Sequence, residues 1–264
     1  MAIIAANEPP SLLYKFRPFG SEQQRKWVRS ILIDNHLFAP TSELLNDPFD
    51  LCIEMTFQGN KAIVRERATA WVNRRSRHLS RHDRRKKTAE SIKQMKLTGK
   101  TEIKKYLAKT GIVSFATQCE SQLLWAHYAD AHRGICIEFD YKRPWRLGKE
   151  GALCEVRYQS ERVIPDYFKS TPIQVIDSMI LTKSEDWKYE GEYRVICNPR
   201  PRGGLLPFNP GLISRVFVGC RMQDDDLELL KAMLRERTTE PKPQLLKMAP
   251  SDKTYSLVST PLEY

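Results

Sequence analysis

A chain of 264 residues with 41% hydrophobic content can bury a full core, and 16 prolines and 12 glycines make no case for global disorder. No apolar run approaches a membrane span, and residues 1–8 are too short for a secretory signal. The net charge of +11 is concentrated in residues 61–105, with 16 Lys and Arg against 4 Asp and Glu, so 27 basic and 28 acidic residues remain elsewhere.

In chain order, Ser11–Phe16 predicts a short strand ended by Arg17-Pro18. Ser21-Glu-Gln-Gln predicts a capped helix start, with Trp27, Val28, Ile31 and Leu32 at helical spacing. Leu37–Ala39 reads as a short strand, and Asn46-Asp47-Pro48 as a turn, because the residue before proline is pushed out of the helical region. Val64, Ala68, Trp71, Val72 and Leu79 give residues 60–80 helical periodicity, and a second helical piece is expected near 88–97. Between them Ser80–Lys87 is almost purely polar. Arg81, Arg84, Arg85, Lys86 and Lys87 are candidate nucleic-acid contacts; the alternative is a solvated helical hairpin. Only Trp71 and Tyr106 interleave the cations, so no base-stacking platform is indicated.

Ile112–Thr117 predicts a buried strand and Gln122–Ala131 a helix, with Gly134 as its left-handed cap. His127 and His132 are five apart, a poor helical metal pair. His127 is expected as an interior hydrogen-bonded residue and His132 as a capping cation. Strands are expected at Gly134–Phe139 and Ala152–Tyr158, and an apolar-faced helix at Pro172–Leu181. Trp187–Ile196, if extended, alternates Trp187, Tyr189 and Tyr193 against Lys188, Glu190, Glu192 and Arg194, which puts two carboxylates on one face. That pattern fits either a site or a salt-linked solvent face. Ile213–Gly219 reads as a strand, and Asp224–Arg237 as a helix with three aspartates at its positive end. Gln244–Met248 and Thr254–Val258 complete the strands. The six cysteines (52, 119, 136, 154, 197 and 220) form no Cys-x-x-Cys pair and read as reduced, mostly buried thiols of a cytoplasmic protein. No Gly-x-Gly-x-x-Gly or phosphate loop is present, and no metal site is read. The expected class is α+β, a single domain over 1–264 with a basic helical insertion at 60–108.

Four pieces stand in a recognisable order: Leu13-Tyr-Lys-Phe, Asn46-Asp-Pro-Phe-Asp, Leu124-Trp-Ala-His-Tyr-Ala with His132-Arg-Gly-Ile-Cys-Ile-Glu-Phe, and Trp187-x-Tyr-Glu-x-Glu-Tyr-Arg. Together they resemble the bacterial family catalogued as domain of unknown function 2971, from about residue 12 to the C-terminus. The order of parts is also similar, more distantly, to the ADP-ribosyltransferase fold, a mixed, mostly antiparallel split sheet. That second resemblance implies an enzyme that consumes NAD as substrate, an ADP-ribosyltransferase or NAD glycohydrolase, in the manner of a toxin or phage-defence component. It implies Glu192 as the carboxylate at the ribose and Glu190 on the acceptor side. It implies Tyr14, Lys15, Arg17, Ser114, Thr117 and Tyr128 as NAD contacts, with a nucleic acid or protein as acceptor and no membrane partner. The chain departs from the pattern of the arginine-type transferases in having only Ser114-Phe-Ala-Thr117 where they carry Ser-Thr-Ser. The competing classes are a nucleic-acid-binding module using 61–105, and a metal-dependent nuclease drawing on Asp47, Asp50, Glu54, Glu190 and Glu192.

Overall fold

The computed structural model describes residues 10–45, 47–51, 54–141 and 151–264; Asn46 and Cys52 lie outside them. The fold is mixed α+β and mostly antiparallel, and the chain divides into two compact units. Thr41–Thr110 with Arg157–Glu185 make the first, and Ala2–Pro40, Gly111–Val156 and Asp186–Tyr264 the second.

The second unit is built on a five-stranded sheet, formed by β1 (Leu12–Arg17), β4 (Ile135–Asp140), β10 (Ile213–Val218), β11 (Gln244–Pro250) and β12 (Leu257–Leu262) in that spatial order. Only β10 and β11 pair in parallel, and α6 (Asp224–Glu236) connects them, as a parallel crossover requires. Strand β4 lies between β1 and β10, and its near-continuous burial fits a strand covered on both faces. Leu13, Ile137, Val216 and Leu245 pack on one face with Val28, Ile31 and Leu32 of α1 (Glu22–Leu32). Phe16, Cys136, Phe217 and Met248 pack on the other, where Phe16 meets Trp125 edge to face at 5.3 Å. The Ser21–Gln24 capping box starts α1 as expected.

A three-stranded sheet of β3 (Gly111–Phe115), β8 (Tyr193–Cys197) and β5 (Gly151–Glu155), with β8 central, meets the first sheet through the bridge Tyr14↔Ala116. A short pair, β2 (His36–Phe38) with β9 (Leu205–Pro207), completes this unit.

The first unit carries the long helices α2 (Lys61–Arg75) and α3 (Arg81–Ala108), α5 (Pro172–Ile180), and a parallel pair of β6 (Arg157–Gln159) with β7 (Thr182–Ser184). Asp166 ties its two chain segments together by accepting hydrogen bonds from Thr56 Oγ1 at 3.1 Å, Gln58 N at 2.7 Å and Phe168 N at 2.8 Å. Phe57 packs on Tyr167 and Phe168 beside them. The segment expected as an insertion at 60–108 thus lies in a unit that also takes in residues 157–185.

Three local expectations are corrected. Helix α4 (Gln122–Tyr128) ends three residues early, and the left-handed turn falls on Asp130, Ala131 and His132 rather than on Gly134. The amides of Ala131, His132 and Gly134 bond the carbonyls of Ala126, Trp125 and Ala129, which satisfies the helix end. The single strand expected at 152–158 splits into β5 and β6, one in each unit. The second helical piece expected near 88–97 runs over Arg81–Ala108 as α3, capped by Ser80, and takes the polar run 81–87 as its first two turns.

Gly134 is required for close approach, since a Cβ there would lie 2.2 Å from the Arg17 carbonyl oxygen and 3.0 Å from that of Ala129. Gly134→Ala is therefore expected to destabilise the chain by about 2 kcal/mol or more, read as a lowered thermal midpoint. A midpoint unchanged from wild type would contradict this packing.

Candidate functional site

Sequence positions more than 170 residues apart converge where β1 meets β3. The Lys15 ammonium donates to the Ser114 carbonyl oxygen and lies 5.6 Å from the centroid of the Phe115 ring. Lys15 and Arg17 keep some solvent exposure, yet enough protein surrounds them to disfavour their charges. Desolvation, then the neighbouring Arg17, holds the Lys15 pKa well below the usual lysine range, with Glu192 and Glu190 partly offsetting the shift. Desolvation lowers Arg17 to about 10.

The carboxylates are supplied by the segment leading into β8. Residues Glu185–Glu190 form a 3-10 turn, Gly191 takes φ +50°, and the strand begins only at Tyr193. The extended alternation expected from Trp187 is thus overturned, because a left-handed glycine breaks it between the two glutamates. Thr117 packs under that glycine, where an added Cβ would come within 2.4 Å of Thr117 Oγ1. The side-chain amide of Gln118 donates to the Tyr189 carbonyl at 3.2 Å. Glu190 is 5% exposed and its Oε1 accepts from the Tyr128 hydroxyl at 2.6 Å.

Glu192 and Arg194, 4% and 1% exposed, form a two-pronged ion pair, with Arg194 Nε 2.8 Å from Oε1 and NH2 3.1 Å from Oε2. Arg194 stands opposite Ser114 in the β3–β8 register, and Val113 and Val195 point into the core on the other face. The sequence offered Arg194 only as a flanking cation. Its signal was the i, i+2 spacing from Glu192 on a strand.

Tyr14 does not join this group. Period-two alternation puts its side chain on the face of β1 opposite Lys15, packed with Phe16 and Cys136 and 6.4 Å from the Phe217 ring. Burial, then the charge of its register partner Glu138, raises its pKa. Glu138 Oε1 accepts from Ser214 Oγ at 2.7 Å.

His127 is exposed rather than interior, and its ring stands 6.2 Å from those of Trp187 and Tyr189. His132 is no capping cation either. It stacks on Trp125 at 6.3 Å, and burial followed by the charge of Arg221 lowers its pKa. A separate cleft of about 640 Å³, lined by His132, Cys220, Arg221 and the loop 250–257, has none of Lys15, Arg17, Glu190 or Glu192 in its wall.

Residues 124–195 match the family described as Protein of unknown function (DUF2971). The match is shorter than the resemblance expected from residue 12 to the C-terminus. This DUF2971 segment opens on α4 and closes in β8, so it contains Tyr128, Glu190, Glu192 and Arg194 but neither Lys15 nor the basic residues 61–105. No curated protein and no solved structure matches the chain. Among the described residues no group of three or more His, Cys, Asp or Glu side chains is placed to hold a metal ion, and no helix is long and apolar enough to cross a membrane. The five described cysteines are free thiols, four of them buried.

Arg194→Met leaves Glu192 buried without its guanidinium and is expected to cost about 3–5 kcal/mol. The Arg194→Met/Glu192→Leu double variant is expected to recover a large part of that loss. Urea denaturation of the three proteins checks this, and a double variant no more stable than Arg194→Met would contradict it.

Proposed function

We propose that the DUF2971 segment, completed by β1 and β3, cleaves the nicotinamide–ribose bond of NAD and transfers ADP-ribose to an acceptor or to water. The observation that carries this proposal is that Lys15, bonded to the Ser114 carbonyl, lies within electrostatic reach of Glu190 and Glu192, while Ser114 stands opposite Arg194, which holds Glu192. Among the five charged side chains Lys15, Arg17, Arg194, Glu190 and Glu192, cations outnumber carboxylates, which suits a ligand bearing two phosphates.

In the proposed reaction the bond from ribose C1′ to the nicotinamide nitrogen breaks, and its electron pair stays on the nitrogen. The ribose then passes through an oxocarbenium-like state, and the acceptor oxygen or nitrogen bonds to C1′ and loses its proton to a base. A carboxylate has about four acceptor positions, and the Arg194 fork takes one on each Glu192 oxygen. In this proposal Glu192 meets the ribose hydroxyls, while Arg194 fixes the group's orientation. Glu190, which accepts from the Tyr128 hydroxyl, serves the acceptor side. Lys15 and Arg17 contact the diphosphate, and Ser114, Thr117 and Tyr128 shape the walls around them.

Nicotinamide release and thermal stability of Glu192→Gln and Glu190→Gln test this. Glu192→Gln is expected to lose about a hundredfold or more in rate while remaining folded, because the exchange removes charge and keeps size. Glu190→Gln is expected to reduce transfer more than bare hydrolysis. Full turnover by Glu192→Gln, or none by wild type over a broad acceptor panel, would overturn the proposal.

A further inference from the structure

The sixteen cations of residues 61–105 are not spread evenly over the helical hairpin. Lys86, Lys93, Lys100 and Lys104 are all exposed on α3. Spacings of seven, seven and four residues put them within about 40° of one line along the helix, spanning about 27 Å. Of the buried residues of α3, Thr88, Ser91 and Gly99 occupy the opposite side, while Ile103 and Leu107 lie on its flank toward the C-terminal end. The run 81–87 that stands out in the sequence is divided instead, with Arg84 and Lys87 half-buried and Arg81, Arg85 and Lys86 exposed.

The chain does little to neutralise this charge. Among the described residues of the hairpin, only Lys100 with Glu54, at 3.7 Å, and Lys105 with Glu102, at 3.0 Å, form ion pairs. Arg67 and Arg75 lie over the rings of Tyr167 and Trp71. The first turn of α3, the positive end of its dipole, carries Arg81 and Arg84 with Asp83 as its acid. Like charges aligned on a rigid helix repel one another, and a polyanion relieves that repulsion while releasing its own counterions.

We propose that this lysine ridge binds the phosphate backbone of a nucleic-acid duplex. A stable protein interface would need a packed cluster of apolar and aromatic anchors at its centre, and a membrane would need an apolar face to insert. The ridge offers one exposed leucine, Leu97. A single strand would call for stacking aromatics, and the ridge has none. Contacts confined to phosphates carry no base sequence, so the binding is to shape and charge.

The test is fluorescence anisotropy of the full chain with a short DNA duplex, the same duplex as RNA, and the single strands, from roughly 50 to 200 mM salt. The comparison protein carries Lys86→Gln, Lys93→Gln, Lys100→Gln and Lys104→Gln, since glutamine sustains an exposed helix. Four lost phosphate contacts should lower the slope of log affinity against log salt by about 3 to 4. The two duplexes decide between DNA and RNA. If circular dichroism shows the fourfold variant unfolded, Lys93→Gln/Lys104→Gln should lower the slope by about 2. An unchanged slope in a folded variant, no duplex binding by wild type, or tighter binding to single strands, polyglutamate or anionic vesicles would overturn the proposal.

Discussion

Two backbone hydrogen bonds, Tyr14 N to Ala116 O at 2.9 Å and Ala116 N to Tyr14 O at 2.8 Å, join the five-stranded and three-stranded sheets. The neighbouring positions depend on this crossing. Lys15 is carried against the Ser114 carbonyl, and Thr117 emerges at the end of β3, where it can sit under Gly191. Glu190 and Glu192 are then held on either side of that glycine, one by Tyr128 and the other by Arg194. A crossing displaced by one residue would turn Tyr14 and Phe16 toward these groups and Lys15 into the apolar face with Trp125.

The same geometry sets up the electrostatics. An ion pair as buried as Glu192–Arg194 gives up hydration on both partners, so its worth lies in fixed orientation more than in net stability. Lys15 and Arg17 show the opposite imbalance, since burial disfavours both charges and each repels the other. This arrangement is what supports the proposal of a ligand carrying negative charge at one end and developing positive charge at the other.

Much of the frame was legible because local signals and burial agree. Ser21 with Gln24, and the aspartates that open α6, mark helices that form where expected, and of the stripe read for α1 Val28, Ile31 and Leu32 are buried while Trp27 is exposed. The strand expected at Gly134–Phe139 forms as β4, Ile135–Asp140. The charged residues that converge at β1 and β3 could be named from the sequence, but their conformation could not. Trp187–Arg194 alternates like a strand, yet a 3-10 turn and a left-handed Gly191 occupy its first half, and no periodicity reports a positive φ. Strand period two should have removed Tyr14 from the group that holds Lys15. The split of 152–158 between units was hidden because burial comes from partners distant in sequence. On α3 the dense run 81–87 drew attention, but a helix distributes consecutive residues around its axis, and only spacing by seven builds a ridge.

The central claim is that the meeting of β1 and β3 is an anion site completed by its ligand. In the free protein Lys15 holds its proton weakly, since desolvation and Arg17 both lower its pKa. A phosphate beside it favours the charged form and raises that pKa, so binding must take up a proton wherever the pH lies between the two values. Calorimetric titration with ADP-ribose between about pH 7 and 10, in buffers of different ionisation enthalpy, reads this directly. The account predicts a buffer-dependent heat of proton uptake in the wild type that is lost in Lys15→Met. Binding without proton uptake over that range, or uptake unchanged in Lys15→Met, would contradict it.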